Sequence, residues 1–204
     1  MDLSVLIPAR AEIWLPNTID DVLTHARAKT EVIAIADGQW PDPPIADHPR
    51  VRLVRTPEPI GQRAATNLAA KMSSAKYVMK LDAHCSMADG FDEVLIESAR
   101  ALGPDVTQIP QMRNLQAFWR FCKACNNRVY QGPLNATCEA CKSTAGFRRE
   151  TVWEPRKGTR TECWRFDHTL HFQYWGEGAK RPEARGDFVD VMSSVGAGYF
   201  MGRA

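Results

Sequence analysis

Residues 76–85 read Lys-Tyr-Val-Met-Lys-Leu-Asp-Ala-His-Cys. The apolar run Tyr77–Leu81 predicts a buried strand that delivers an aspartate and a histidine two positions apart. In an extended chain, positions i and i+2 face the same side. Asp82 and His84 can then share one divalent cation, and such a cation can neutralise a diphosphate. An aspartate or histidine at a strand end also has ordinary structural uses, so the triplet draws its weight from its surroundings.

Those surroundings alternate strand and helix. Leu3–Ile7 is a short apolar run halted by Pro8 and reads as a first strand. Pro16-Asn17-Thr18 opens a helix through about Ala28, with Asn17 or Thr18 as its cap and Asp20 and Asp21 near its positive end. Glu31–Ala36 is a second strand ending in Asp37-Gly38. Four prolines between Pro41 and Pro49 mark a loop, and Val51–Val54 is a third strand. Pro59-Ile60-Gly61 leads into a helix over 62–73. Beyond His84, a helix at Asp89–Ala101 precedes a strand at Val106–Pro110. This order predicts an α/β fold with a mainly parallel sheet and helices on both faces. Ligands of such sheets sit beyond the C-terminal strand ends, where Pro8–Glu12, Asp37 and Asp82–His84 fall. Farther on, Trp164–Trp175 alternates. That places Trp164, Phe166, His168, Leu170, Phe172 and Tyr174 on one side of a single antiparallel strand.

The 204 residues suffice for one domain with a real core plus an insertion. Hydrophobic residues at 44% and charged residues at 25% place the chain among globular proteins rather than disordered ones. A net charge of +2 is too mild to argue for nucleic acid or a membrane surface, and no nucleic-acid partner is expected. No apolar run is long enough to span a bilayer. Met1-Asp2-Leu3-Ser4-Val5 lacks a basic leader, so the chain reads as cytoplasmic.

Four of the six cysteines stand as two pairs, Cys122-x-x-Cys125 and Cys138-x-x-Cys141. Two such knuckles can supply four thiolates to a structural Zn²⁺. A closed Cys₄ site has no open position and therefore no catalytic role. Binding would fold a short segment with few apolar residues of its own. Lys123, Arg128, Lys142, Arg148 and Arg149 flank it and read as a solvated basic face. Cys85 reads as a small buried hydrophobe.

Four stretches taken together resemble a known family: Leu3-Ser4-Val5-Leu6-Ile7-Pro8, Glu31 through Asp37-Gly38, Gly61 through Asn67, and Lys80-Leu81-Asp82-Ala83-His84-Cys85. Their order is similar to that of nucleotide-sugar-dependent glycosyltransferases of the GT-A, family-2-like group, whose fold is Rossmann-like. Asp82-Ala83-His84, with the later Gly196-Ala197-Gly198-Tyr199-Phe200, most resembles the polypeptide N-acetylgalactosaminyltransferases, which carry Asp-x-His where most relatives carry Asp-x-Asp. The resemblance covers most of 3–110 and 161–203. It implies a nucleotide-sugar-binding half at 1–111 and the start of an acceptor-side half at 161–204, and it leaves 112–160, the zinc-binding insertion read from the cysteine spacing, largely uncovered.

It also implies roles. Pro8 through Glu12 would form the first loop around the nucleoside, with Arg10 and Glu12 as its polar members. Asp37 would accept a hydrogen bond from the uracil imide, and Gly61 and Arg63 would lie near the uracil or diphosphate. Asp82 and His84 would bind Mn²⁺ or Mg²⁺ on the diphosphate, with Ala83 between them, and Ala197 and Gly198 would let backbone approach the donor sugar. The chain departs from its relatives at Thr66, where many carry arginine. Arg63, one helical turn earlier, is expected to substitute from the same face. The relatives' acceptor-side motif follows the glycine turn by tens of residues, so the catalytic base is expected beyond Ala204, and the chain reads as lacking that segment. The implied activity is transfer from a UDP-sugar to a protein or glycan hydroxyl, with retention of configuration.

Three other readings compete. One is a zinc-ribbon module touching nucleic acid through its basic insertion. Another is a fragment that binds UDP without activity. The third is a nucleotidyltransferase, but Pro8-Ala9-Arg10-Ala11-Glu12 lacks the glycine-rich first loop such enzymes use.

Overall fold

The computed structural model describes residues 1–110, 115–130, 137–155, 164–174, 177–182, 186–190 and 198–202. Its main sheet contains β1 (Leu3–Ala9), β2 (Thr30–Ala36), β3 (Val51–Arg55), β4 (Tyr77–Leu81), β5 (Thr107–Gln108) and β11 (Gly198–Gly202), in the spatial order β3-β2-β1-β4-β11-β5. Strands β1 to β4 pair in parallel, while β11 wedges antiparallel between β4 and β5. The fold is α/β with a mainly parallel sheet, as the alternation predicts.

Alternate residues of the buried strands feed two separate cores. Leu3, Val5, Ile7, Met79 and Leu81 face α1 (Leu15–His25) and α3 (Phe91–Leu102), together with Phe200 from β11. Leu6, Ile33, Ile35 and Val78 face the opposite way, onto Ala65 and Ala69 of α2 (Gln62–Met72). Both faces of a parallel sheet must be covered, and these three helices cover them.

Pro8 does not halt the first strand, which runs on to Ala9. The Ala9 carbonyl accepts from Asp37 N at 2.8 Å, so Ala9 faces β2 and Pro8 faces the β4 side. Pairing with β4 has ended by then, at Leu6 with Lys80. The donor that proline lacks is therefore not missed. Helix α1 also differs in its start. Trp14 occupies the N-cap without a side-chain bond, and Pro16 lies in the first turn. Thr18 is fully buried, and no acidic residue sits in that turn. Asp20 and Asp21 come a turn too late to serve the helix end.

The expected single strand over Trp164–Trp175 is a hairpin of β9 (Trp164–Phe166) and β10 (Phe172–Tyr174). The reversal is built by Asp167. Its Oδ1 accepts from Thr169 N at 2.8 Å, Thr169 Oγ1 at 2.7 Å and His171 N at 2.9 Å, and Leu170 adopts φ +61°. An aspartate folding the chain back on itself interrupts an alternation that otherwise reads straight through.

The chain divides into two compact units, one of residues 1–112 with 161–204 and one of residues 113–160. The second contains a three-stranded antiparallel sheet, β7-β6-β8, made of β6 (Leu115–Cys122), β7 (Arg128–Tyr130) and β8 (Phe147–Pro155). Among the described residues, no helix is long and apolar enough to cross a membrane.

Candidate active site

The parallel register aligns the C-terminal ends of β1, β2 and β4. Directly beyond them come Arg10–Glu12, Asp37-Gly38 and Asp82–Cys85. Asp37 is buried and its carboxylate is already engaged. Oδ1 accepts from Ile60 N at 2.6 Å and from Thr56 Oγ1 at 3.4 Å, and Oδ2 accepts from Gly61 N at 3.0 Å. Thr56 Oγ1 in turn accepts from Gly38 N at 2.9 Å. Asp37 thus ties the β2 end to the loop that opens α2. Gly38 has φ +87°, and a Cβ there would meet Pro59 at 2.8 Å, so this close approach needs glycine. Gly61, at φ +83°, is the exposed N-cap of α2.

Strand β4 stops at Leu81, so Asp82 lies one residue past it and Ala83-His84 form a turn. The strand alternation that paired the two side chains in the sequence therefore does not reach them. They have different partners. Asp82 Oδ1 is ion-paired with Lys80 Nζ and accepts from Gln62 Nε2 at 3.2 Å. The exposed His84 ring meets Glu12 Oε2 through Nδ1 at 3.1 Å, while Glu12 Oε1 accepts from Trp14 N at 3.1 Å. Ala83 points its methyl into the core beneath. The loop beyond is clamped by α1. Thr18 Oγ1 accepts from Cys85 N at 3.1 Å, and Asp21 accepts from Ser86 Oγ at 2.8 Å and from Met87 N. Burial, then the charge of Asp82, pushes the Cys85 thiol up to about 12.

Gly198 faces Leu81 across β11 and β4, and a Cβ on it would meet Lys80 O at 3.1 Å. Its smallness lets β11 approach the end of β4. Tyr199 lies opposite Lys80, its hydroxyl pKa raised by burial. Ala197 lies outside the described residues.

Residues 4–154 match the family model described as glycosyl transferase family 2. The chain belongs to glycosyl transferase family 2. No curated protein matches it in sequence. Among solved structures it is similar to a crystal structure of S. aureus TarS, at 14% identity and a TM-score of 0.39, over 49% of this chain and 20% of that one. The matched region thus spans about a fifth of TarS.

In this family-2 chain, the residues expected at the donor site separate into two groups. Pro8, Glu12, Asp37, Asp82, His84 and Gly198 fall at or beside the aligned strand ends. Arg10 and Arg63 are exposed and make no ion pair among the described residues. Arg63 does not share the setting of Thr66, which is buried and donates from Oγ1 to Gln62 O at 2.8 Å. A side chain one turn away on a helix need not point where its neighbour points. The Asp82 and Glu12 carboxylates and the His84 imidazole are donor types that suit a divalent cation, but they are not gathered into one cluster.

Two contributors were missed from sequence, Lys80 and Gln62. Lys80 is 7% exposed in the middle of an apolar strand. A lysine inside such a run, two residues before Asp82, is itself a signal, because buried lysines keep an anionic partner. Gln62 opens α2 and carried no cue beyond its place after Gly61.

The second unit brings its four cysteines together. Cys122 and Cys141 Sγ are 3.6 Å apart, Cys125 and Cys138 Sγ are 3.9 Å apart, and all four sulfurs lie within 4.8 Å of one another. Among the described residues this is the one group of three or more metal-ligating side chains so gathered.

Proposed function

We propose that this chain is a donor-site-bearing glycosyltransferase that takes a UDP-sugar with Mn²⁺ or Mg²⁺ and transfers the sugar, with retention, to a hydroxyl of a protein or glycan. The observation that carries the reading is the convergence of Glu12, Asp37 and Asp82–His84 on adjoining ends of a parallel sheet, in a chain of family 2. A nucleoside diphosphate needs an acceptor for its base, positive charge for its phosphates and close backbone, and this sheet edge offers each.

Asp37 spends three acceptor positions on the 56–61 loop. A carboxylate has about four, and a uracil imide N–H would have to take the remaining one on a residue that is 4% exposed. Pro8 through Glu12 line the nucleoside side. Asp82 and His84 hold the cation, with Gln62 orienting the carboxylate and Glu12 the ring. When bound, that cation supplies Lewis-acid stabilisation of the charge that builds on the departing UDP. Lys80 sets a second cationic side chain beside Asp82. The reading as a nucleic-acid module is less well supported. The rings of Phe118, Trp119, Phe121 and Phe147 each carry an arginine over one face, which occupies the stacking surface that bases would use.

The test is incubation with a panel of UDP-sugars and Mn²⁺, reading UDP release and the anomer of the product by NMR. Release should fall by roughly 10²-fold or more in Asp82→Asn. Absence of release with every donor, despite intact UDP binding, would leave the chain as a UDP-binding fragment.

A further inference from the structure

We propose that the 113–160 unit is built around one Zn²⁺ held by Cys122, Cys125, Cys138 and Cys141, that Arg120 is its counter-charge, and that the unit folds only with the metal bound. This inference stands on residues separate from the strand-end site and does not depend on the activity.

The first observation is distance. Four sulfurs at the usual zinc bond length of 2.3 Å form a tetrahedron with edges of about 3.8 Å. Two of the pairs here are 3.6 and 3.9 Å apart, and all four sulfurs lie within 4.8 Å of one another. A disulfide needs sulfurs near 2 Å, so this arrangement fits a shared cation and not two bridges.

The second is that the knuckles repeat each other bond for bond. In the first, Cys122 N donates to Asn127 O at 3.0 Å, Asn126 N donates to Cys122 O at 2.9 Å, and Asn126 has φ +55°. In the second, Cys138 N donates to Ser143 O at 2.9 Å, Lys142 N donates to Cys138 O at 2.8 Å, and Lys142 has φ +58°. Asparagine tolerates a positive φ, but lysine takes one only at a cost. Two segments of different sequence adopt one turn, and the sulfurs they carry are what they share. Ala124 N also points at Cys122 Sγ at 3.4 Å, the amide-to-sulfur contact that steadies a thiolate.

The third is the core. Among the residues of 113–160 whose burial is described, the buried apolar side chains are Cys122 and Cys138. None of the residues in the two hydrophobic clusters comes from this unit. A few dozen residues without a core need a staple. The first knuckle is the turn between β6 and β7, and the second precedes β8, so one ion at their meeting point joins all three strands.

The fourth is Arg120, which is 4% exposed, with Nε and Nη1 lacking any hydrogen-bond partner among the described residues. It stands two residues before Cys122 on the same face of β6. Its guanidinium lies 5.4 Å from the ring centroid of Phe147, which pairs with Cys122 across the sheet. An uncompensated buried cation is costly. Zn²⁺ with four thiolates is a dianion, and on that face it would offset the charge.

Purified reduced full-length chain, analysed by plasma emission and by hydrogen exchange, tests this. One zinc per chain is expected, replaceable by Co²⁺ with the visible bands of a tetrahedral tetrathiolate. Stripping it should remove amide protection from 115–130 and 137–155 while 1–110 keep theirs. Cys125→Ser and Cys141→Ser, both at exposed positions, should abolish stoichiometric zinc, and Cys85→Ser should retain it. Arg120→Met should weaken zinc roughly 10- to 100-fold in a competition titration with a chromogenic chelator. Metal-free chain with full protection in the cysteine unit, bound iron in place of zinc, or zinc retained by both serine variants would each overturn the proposal.

Discussion

Asp82 has two neighbours of opposite kind, the cation of Lys80 and the amide of Gln62. The lysine would compete with the proposed metal for the same oxygen. Removing it while keeping the stem, in Lys80→Met, should tighten Mn²⁺ binding in the absence of nucleotide by up to about tenfold, a gain of about 1.4 kcal/mol. The same change should weaken UDP, which loses a positive charge, and titration of each ligand reads the two effects separately. Asp37 makes a different prediction. Asp37→Asn turns one acceptor into a donor facing a backbone N–H, so unfolding free energy should fall by roughly 2–3 kcal/mol in urea denaturation. A purely nucleobase-contacting residue would leave stability unchanged. Cys85, with its thiol near 12, should resist iodoacetamide at pH 8 in the folded chain and react once it is unfolded. The position of Asp82, His84 and Asp37 just past strand ends was legible because polar residues closing apolar runs stand out. The pairings were not: Glu12 was expected in the first loop but not on His84, and Gln62 not at all, since they reach their partners from 72 and 20 residues away and no spacing rule joins them.

At the scale of elements, the first four strands and three helices were legible because each is a run of one periodicity between breakers. Strand β11 was not. It follows glycines and small residues that read as a turn, and its pairing with β4 spans more than a hundred residues of chain. Phe200 shows what that strand contributes. It is fully buried and stacks on Tyr77 with ring centroids 5.3 Å apart. Phe200→Ala should cost roughly 3–5 kcal/mol, measured by denaturant titration. The hairpin of β9 and β10 was misread because its turn, Asp167 to His171, keeps the alternation of the strands around it. Strands β6 to β8 had no sequence signature apart from the cysteines, whose spacing fixed the two knuckles without revealing the sheet between them.

For the whole molecule, the alternation of elements foretold a parallel sheet with helices on both faces, and ligand placement at its C-terminal edge follows from that topology. The antiparallel wedge could not be foretold, because strand order is set by contacts distant in sequence. The two proposed metals fall in different units, the divalent cation at the strand ends and the zinc among the four cysteines of 113–160. If both proposals hold, a strong chelator would act on both. The donor site is therefore best probed by substitution, in protein whose cysteine unit is left loaded. Calorimetric titration of UDP into the wild-type chain and into Asp82→Asn, each with and without Mn²⁺, is the most direct test. Binding that requires Mn²⁺ and is lost in Asp82→Asn is the predicted result. UDP binding that is indifferent to both, or absent from the folded wild-type chain with Mn²⁺ present, would contradict a metal-dependent donor site at the end of β4.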